Sequence, residues 1–211
     1  MAEPDVIYRD DHLIVLDKPP GLLSVPGIGP GKQDCLARRV EARFPGARIV
    51  HRLDRETSGV IVMAMDAESH RALSRQFEQR LVDKCYIAVV AGVVKADDGE
   101  IDLPLRKDLD PPRPGPRHIV DHVHGRPALT RYHVLRRDPD RTRVEARPQT
   151  GRSHQLRVHL DAVGHAILGD DLYAPPEVVA MADRLLLHAQ AISITHPRTG
   201  ERLDFKSPCP F

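Results

Sequence analysis

Residues 51–64 read His-Arg-Leu-Asp-Arg-Glu-Thr-Ser-Gly-Val-Ile-Val-Met-Ala. The second half, 58–64, is small or apolar and carries Val60, Ile61 and Val62 in a row, which predicts a buried strand. The first half predicts a charged turn that feeds it. Asp54 stands between Arg52 and Arg55. Cationic neighbours keep a carboxylate ionised, the state a nucleophile needs. Thr57 and Ser58 add hydroxyls, and Gly59 adds a backbone free to turn. On residue types alone the same turn also reads as solvated surface with an ion pair of little worth.

Working outward, residues 12–17 (HLIVLD) predict a strand ended by Lys18-Pro19-Pro20-Gly21. Residues 22–25 predict a second short strand, and 33–43 a helix stopped before Pro45-Gly46. Residues 67–81 predict an amphipathic helix with Leu73, Phe77 and Leu81 on its apolar face. Residues 85–94, 130–136, 142–146, 185–195 and 202–205 predict strands. Ser153 is placed to cap a helix running to about Val163, with Leu156, Leu160 and Val163 on one apolar face and Gly164 as its stop. Residues 108–125, with Pro111, Pro112, Pro114 and Pro116, predict a loop. Strands and helices mix without strict alternation. That pattern favours an α+β fold with a largely antiparallel sheet.

The chain has 211 residues, 41% hydrophobic and 29% charged, which fits a single domain over 1–211 with a sizeable core. No apolar run is long enough for a membrane helix, and the first ten residues lack the pattern of a signal peptide. The cysteines, Cys35, Cys85 and Cys209, are odd in number and form no CxxC pair, so a disulfide scaffold is not expected and a reducing cytoplasm is. The formal net charge is +1, but it is unevenly spread. Between Arg106 and Arg157 stand thirteen Lys/Arg and six Asp/Glu. A basic segment on an otherwise acidic chain suits a polyanion. Arginine outnumbers lysine 25 to 6, a bias that a GC-rich genome also produces.

Two further stretches carry candidate chemistry. Residues 150–159 (TGRSHQLRVH) put Arg152 near a helix start and Arg157 one turn in, where they suit a phosphate or a buried carboxylate. An ordinary amphipathic helix with a solvated basic face reads the same way. Tyr86, at the head of an apolar strand, reads as core packing, or as a ring that stacks on a base or a phenol that moves a proton. Other patterns fail. Residues 26–33 end in Gly31-Lys32-Gln33 and begin with Pro26, so they are not a P-loop. His154 and His159 are five apart and diverge around a helix, and no GxSxG occurs. His118, His122 and His124 lack the spacing of a metal site, so no metal is expected.

With these residues in view, the chain resembles the RluA family of pseudouridine synthases. The resemblance rests on HRLDRETSG at 51–59, KPPGLL at 18–23, Tyr86, GRSHQLRVH at 151–159, Gly164-His165, Leu168-Gly169-Asp170, Tyr173, Leu187-His188-Ala189 and His196-Pro197, all in family order. Within the family it is most similar to the compact RluA type, which lacks an N-terminal S4 module and acts on a tRNA anticodon stem-loop and a 23S rRNA hairpin. Cys85 departs from the polar residue expected there, and the 111–124 loop is distinctive.

The resemblance implies a pseudouridine synthase fold, a mixed and mainly antiparallel sheet with surrounding helices and a central catalytic cleft. It implies Asp54 as the catalytic carboxylate, Tyr86 as a stacking or proton-transfer residue, and Arg157 as the partner that keeps Asp54 ionised. It further implies Arg52 entering the space a flipped base vacates, Leu187 walling an apolar pocket, and Arg152 gripping phosphate. The reaction is an isomerisation, so no cofactor is expected. RNA is the expected partner, and a monomer the expected state. Two rival readings come from the residues alone: a non-catalytic RNA-binding module, and a metal-dependent hydrolase built from the 12 histidines. The first is poor in the aromatic platforms such modules use.

Overall fold

A computed structural model of the chain describes residues 5–29, 31–109 and 117–211. In chain order its first elements are β1 (Asp5–Arg9), β2 (Leu13–Lys18), α1 (Leu36–Arg43), β3 (Arg48–Ile49), β4 (Ser58–Ala64), α2 (Ala67–Glu78), β5 (Asp83–Ala91) and β6 (Asp98–Asp102). Then follow β7 (Leu105–Lys107), β8 (His118–Val120), β9 (Leu129–Arg137), β10 (Arg141–Pro148), α3 (Gln155–Ala162), α4 (Pro176–Val179), β11 (Leu187–Thr195) and β12 (Arg202–Lys206). The chain divides into two compact units, residues 1–84 with 188–211, and residues 85–187.

The first unit is built on β4. All seven of its residues are buried, which is why its sequence is continuously apolar rather than alternating. One edge of β4 pairs antiparallel with β2, which pairs in turn with β1. The other edge is shared. Met63 and Ala64 take β3 antiparallel, while Ser58 and Gly59 take the start of β11 in parallel. β12 closes antiparallel on β11. Leu13, Val15, Val60, Val62, Leu73, Ile192, Ile194 and Phe205 form the core beneath. Asp66 caps α2, accepting from the backbone N–H groups of Glu68 and Ser69 and from the Ser69 hydroxyl. The hydroxyl and backbone bonds from Ser69 hold that carboxyl well below its usual range.

In the second unit β5, β10, β9 and β6 run antiparallel in that order. β7 and β8 form a separate two-stranded ribbon. Ala88, Val90, Ile101, Val134, Val144, Leu156, Leu160 and Ile167 share one core. The architecture is therefore α+β, with the parallel pairing of β4 and β11 set among antiparallel ones, as the mixed pattern of the sequence predicts.

Several boundaries differ from the sequence reading, each for a local reason. Helix α2 stops at Glu78, because Arg80 turns left-handed (φ 60°) and carries the chain away. Leu81 is therefore 54% exposed instead of completing the apolar face, while Leu73 is fully buried. Ser153 does not cap α3. The cap position is His154, itself left-handed (φ 56°) and without a side-chain cap bond. Val163 lies beyond the helix and is exposed, and Gln155 to Leu160 are all buried, so α3 has no single apolar stripe. Residues 22–25 form only one bridge, from Leu23 to Cys35. Within the expected loop of 108–125, His118–Val120 pairs with Leu105–Lys107. Three residues are too few to show a period of two. The four prolines of that loop lie outside the described residues.

Candidate active site

In the first unit the turn carrying Asp54 is fixed along its whole length. At its start, His51 stacks on Phe77 of α2 (centroids 4.5 Å apart), and its Nε2 accepts the Val62 N–H of β4 at 3.0 Å. Burial, with the nearby Lys84 charge, pushes the His51 pKa down to about 3. The imidazole is thus neutral, as an acceptor nitrogen must be. In the middle, Leu53 is buried, and its backbone N–H donates to the Ser24 hydroxyl while its carbonyl accepts from it. Thr57 N–H closes back on the Asp54 carbonyl at 3.2 Å. At the end, Ser58 Oγ meets His188 Nδ1 at 2.9 Å, and His188 Nε2 donates to the Ser207 carbonyl at 3.1 Å. Gly59 (φ 111°) lets β11 approach, since a Cβ there would lie 2.2 Å from the Ala189 carbonyl oxygen.

The Lys18-Pro19-Pro20-Gly21 turn locks the same segment. Lys18 is fully buried, and its ammonium donates to the carbonyls of Pro19, Leu22 and Arg55 at 2.8–3.0 Å. Arg55 Nε donates to the Gly21 carbonyl. A buried cation satisfied by three carbonyls at the base of a turn makes that turn rigid. Asp54 is half-buried on it, and Arg52 beside it is exposed.

In the second unit Arg157, on α3, is 3% exposed. Its fork is taken by Asp170, with Nε–Oδ2 at 2.8 Å and a second nitrogen to Oδ1 at 2.5 Å. Asp170 also accepts the backbone N–H groups of Leu172 and Tyr173. Gly169 makes this turn possible: it is left-handed, and a Cβ would meet the Arg184 carbonyl oxygen at 2.0 Å. Gln155, buried two residues before Arg157, ties α3 to the Leu129 carbonyl and to the Thr130 and Thr150 hydroxyls. Arg152 N–H donates to Gln155 Oε1, and its Nε to the Pro127 carbonyl. Tyr86 is partly buried against the unit's core, and Leu187 is buried within it.

The sequence reading named Asp54, Tyr86, Arg157, Arg52, Arg152 and Leu187. The structure sets the first and fourth on the turn of the first unit and the others in the second unit. It assigns work that no composition rule finds: Lys18, Ser24 and His51 as anchors of the Asp54 turn, and Asp170 and Gln155 as anchors of α3. Their one signal in the sequence is that all but Ser24 stand inside a quoted motif. Among the described residues no group of three or more His, Cys, Asp or Glu stands together as metal ligands. No helix among them is long and apolar enough to cross a membrane.

Comparison with known proteins gives concordant results. Residues 12–162 match the family described as RNA pseudouridylate synthase. The dual-specificity RNA pseudouridine synthase RluA of Yersinia pestis is 52% identical over 207 residues, 98% of this chain and 99% of that protein. The protein of the same description from Escherichia coli (strain K12) is 49% identical, over 98% of this chain and 93% of its own. Among solved structures, human RNA pseudouridylate synthase domain containing 1 superposes with a TM-score of 0.83 at 28% identity, covering 99% of this chain and 84% of that one. Human RNA pseudouridylate synthase domain containing 4 gives 0.77 at 26%, covering 98% and 88%.

Proposed function

The chain belongs to the RNA pseudouridine synthase family, and from that premise we propose that it isomerises uridine to pseudouridine in structured RNA with Asp54 as the catalytic carboxylate. The observation that carries the reading is the near full-length likeness to dual-specificity RluA enzymes, joined to a turn that holds Asp54 rigidly from both ends. The reaction breaks the N1–C1′ bond and joins C5 to C1′. The C5 proton leaves and N1 gains one, so the atoms balance without a cofactor or metal. Asp54 acts at the sugar, either by attacking C1′ or by helping to deprotonate it.

The other residues follow from that chemistry. The target base must leave its stack, which costs a few kcal/mol. Arg52, exposed beside Asp54, is suited to fill the gap, since a planar guanidinium stacks and hydrogen-bonds at once. Tyr86 stacks on the freed uracil and takes the C5 proton. Leu187 forms an apolar wall, and Arg152 with the 106–157 basic segment grips phosphates. Arg157, oriented by Asp170, supplies the positive charge that keeps Asp54 ionised.

The dual-specificity description of the relatives supports two substrate classes, and the resemblance implies that these are a tRNA anticodon stem-loop and a 23S rRNA hairpin. The matched family region, 12–162, takes in residues of both units, which supports reading 1–211 as one catalytic domain. A cytoplasmic monomer suits an enzyme that reads a single RNA loop.

The test uses RNA tritiated at uridine C5, because pseudouridine and uridine have the same mass. The native chain should release tritium from one or both hairpins, and Asp54→Asn should bind RNA normally but release none. Release by Asp54→Asn at the native rate would remove Asp54 from the chemistry. Release from total cellular RNA but from neither hairpin would discard the substrate assignment.

A further inference from the structure

Tyr173 lies where β7, β8 and α3 of the second unit meet, and nothing in the proposed reaction uses it. Its ring is flanked by two cations. The guanidinium carbons of Arg157 and Arg117 each lie 5.1 Å from its centroid. Its hydroxyl accepts the backbone N–H of His118 in β8 at 2.9 Å. The same oxygen shares a 2.6 Å hydrogen bond with Nδ1 of His154, the left-handed residue at the start of α3. Its own N–H donates to Asp170 Oδ1, the oxygen that also holds Arg157. Its ring packs with Val120 against Leu105, Ala128 and Val158, so it forms part of the inner face of the β7–β8 ribbon.

Each contact constrains something different. Ring and backbone fix the fork of Arg157 through stacking and through the shared carboxylate. The hydroxyl fixes β8, because a backbone N–H of that strand ends on it. The β7–β8 ribbon bears Arg106 and Lys107, with Arg117 immediately before β8, at the start of the basic segment. His154 holds a backbone conformation that costs a non-glycine residue about 1 kcal/mol or more, and such strain persists only where surroundings over-determine it. The Tyr173 hydroxyl and the facing ring of His118 are part of those surroundings.

We propose that Tyr173 is a positioning residue that couples the RNA-gripping β7–β8 ribbon to the orientation of Arg157. The ring stacks on Arg157 and packs under the ribbon, whereas the hydroxyl bonds β8 and His154 without touching Arg157, so removing the hydroxyl alone loosens the ribbon and spares the stack. The inference rests on the reading of Arg157 as the partner of the Asp54 chemistry, and the experiment separates the two.

The full chain carrying Tyr173→Phe, Tyr173→Leu or Arg157→Lys is assayed for kcat and KM by tritium release from a C5-labelled stem-loop. Tyr173→Phe keeps the ring and loses two hydroxyl bonds, so KM should rise about tenfold with kcat within about twofold. Tyr173→Leu also loses the stack, and kcat should fall about a hundredfold, a misplacement-scale loss. Tyr173→Phe at the native KM, or with kcat reduced as far as in Tyr173→Leu, overturns the inference. So does native kcat in Tyr173→Leu while Arg157→Lys is impaired, which leaves Arg157 in place. Native kcat in Arg157→Lys removes the assigned role of Arg157 and this inference together. Should Tyr173→Leu not fold, a cycle of Tyr173→Phe with the exposed Lys107→Gln decides: the KM penalty for losing Lys107 should be smaller when the ribbon is already released, and strict additivity overturns the coupling.

Discussion

Asp170→Asn breaks the Arg157 anchor while sparing the turn around it. The asparagine keeps an oxygen for the Leu172 and Tyr173 N–H groups, and it keeps the shape, so what it removes is a charge and the Oδ2 acceptor of Arg157 Nε. Arg157 is 3% exposed and Asp170 is fully buried. Leaving one member of a buried pair alone costs about 3–5 kcal/mol, because the remaining charge has lost its counterion and its water. Asp171, 3.4 Å from the guanidinium but 67% exposed, is screened by solvent and offsets little. With a urea m-value of about 1–3 kcal/mol/M, the loss moves the unfolding midpoint down by about 1 M or more. Tyrosine fluorescence is a suitable probe, since Tyr86, Tyr132 and Tyr173 lie in the second unit and the chain has no tryptophan. Asp171→Asn should move the midpoint little. Arg157→Met combined with Asp170→Asn should regain most of the lost stability, since no charge is then buried, yet remain inactive. A shift below about 0.3 M for Asp170→Asn would refute the reasoning, as would a double variant less stable than the single one.

Gly59→Ala places a Cβ 2.2 Å from the Ala189 carbonyl oxygen in a left-handed backbone, so it should cost about 3 kcal/mol or more and lower tritium release, read by melting and by turnover; a variant with native values would show that β11 yields easily. His51 has a folded pKa of about 3 against 6.5 ordinarily. Its neutral form is the one the fold favours, so its contribution is complete above about pH 6.5 and drains away as pH falls toward 3. His159, its pKa also lowered by burial, acts with the same sign. Urea midpoints between pH 7 and pH 4 should therefore fall less steeply in His51→Gln, and an unchanged slope would place the titrating group elsewhere. Leu73→Ala, at a fully buried position, should cost about 2–5 kcal/mol. Leu81→Ala, in the same predicted stripe but exposed, should stay within about 0.5 kcal/mol, and equal losses would contradict the early end of α2.

Long elements with strong patterns were legible before any coordinates. β4 and the core of β2 follow from unbroken apolar runs, and the stop at Gly164 follows from a glycine that turns left-handed there. Short ribbons such as β7–β8 were not legible, because three residues carry no periodicity. The end of α2 and the start of α3 were misplaced because Arg80 and His154 adopt a backbone conformation that neither residue type advertises. Asp54, Tyr86 and Arg157 stood out as chemistry only through the ordered motifs around them, since a charged turn, an aromatic in a strand and a basic helix are each commonplace.

By itself the sequence determined which residue types stand at which spacing: an aspartate between two arginines ahead of a buried strand, a basic segment from 106 to 157, and a set of motifs in one order. Those are local properties, set by neighbours a few positions apart. The tertiary structure alone decided what holds them. Lys18 reaches the carbonyl of Arg55, Ser24 bonds Leu53, Ser58 meets His188, and Arg157 closes on Asp170. The physical reason is burial. A lysine or an arginine taken out of water must end on acceptors within about 3 Å, and which acceptors the folded chain brings that close is a property of its packing, not of its spacing.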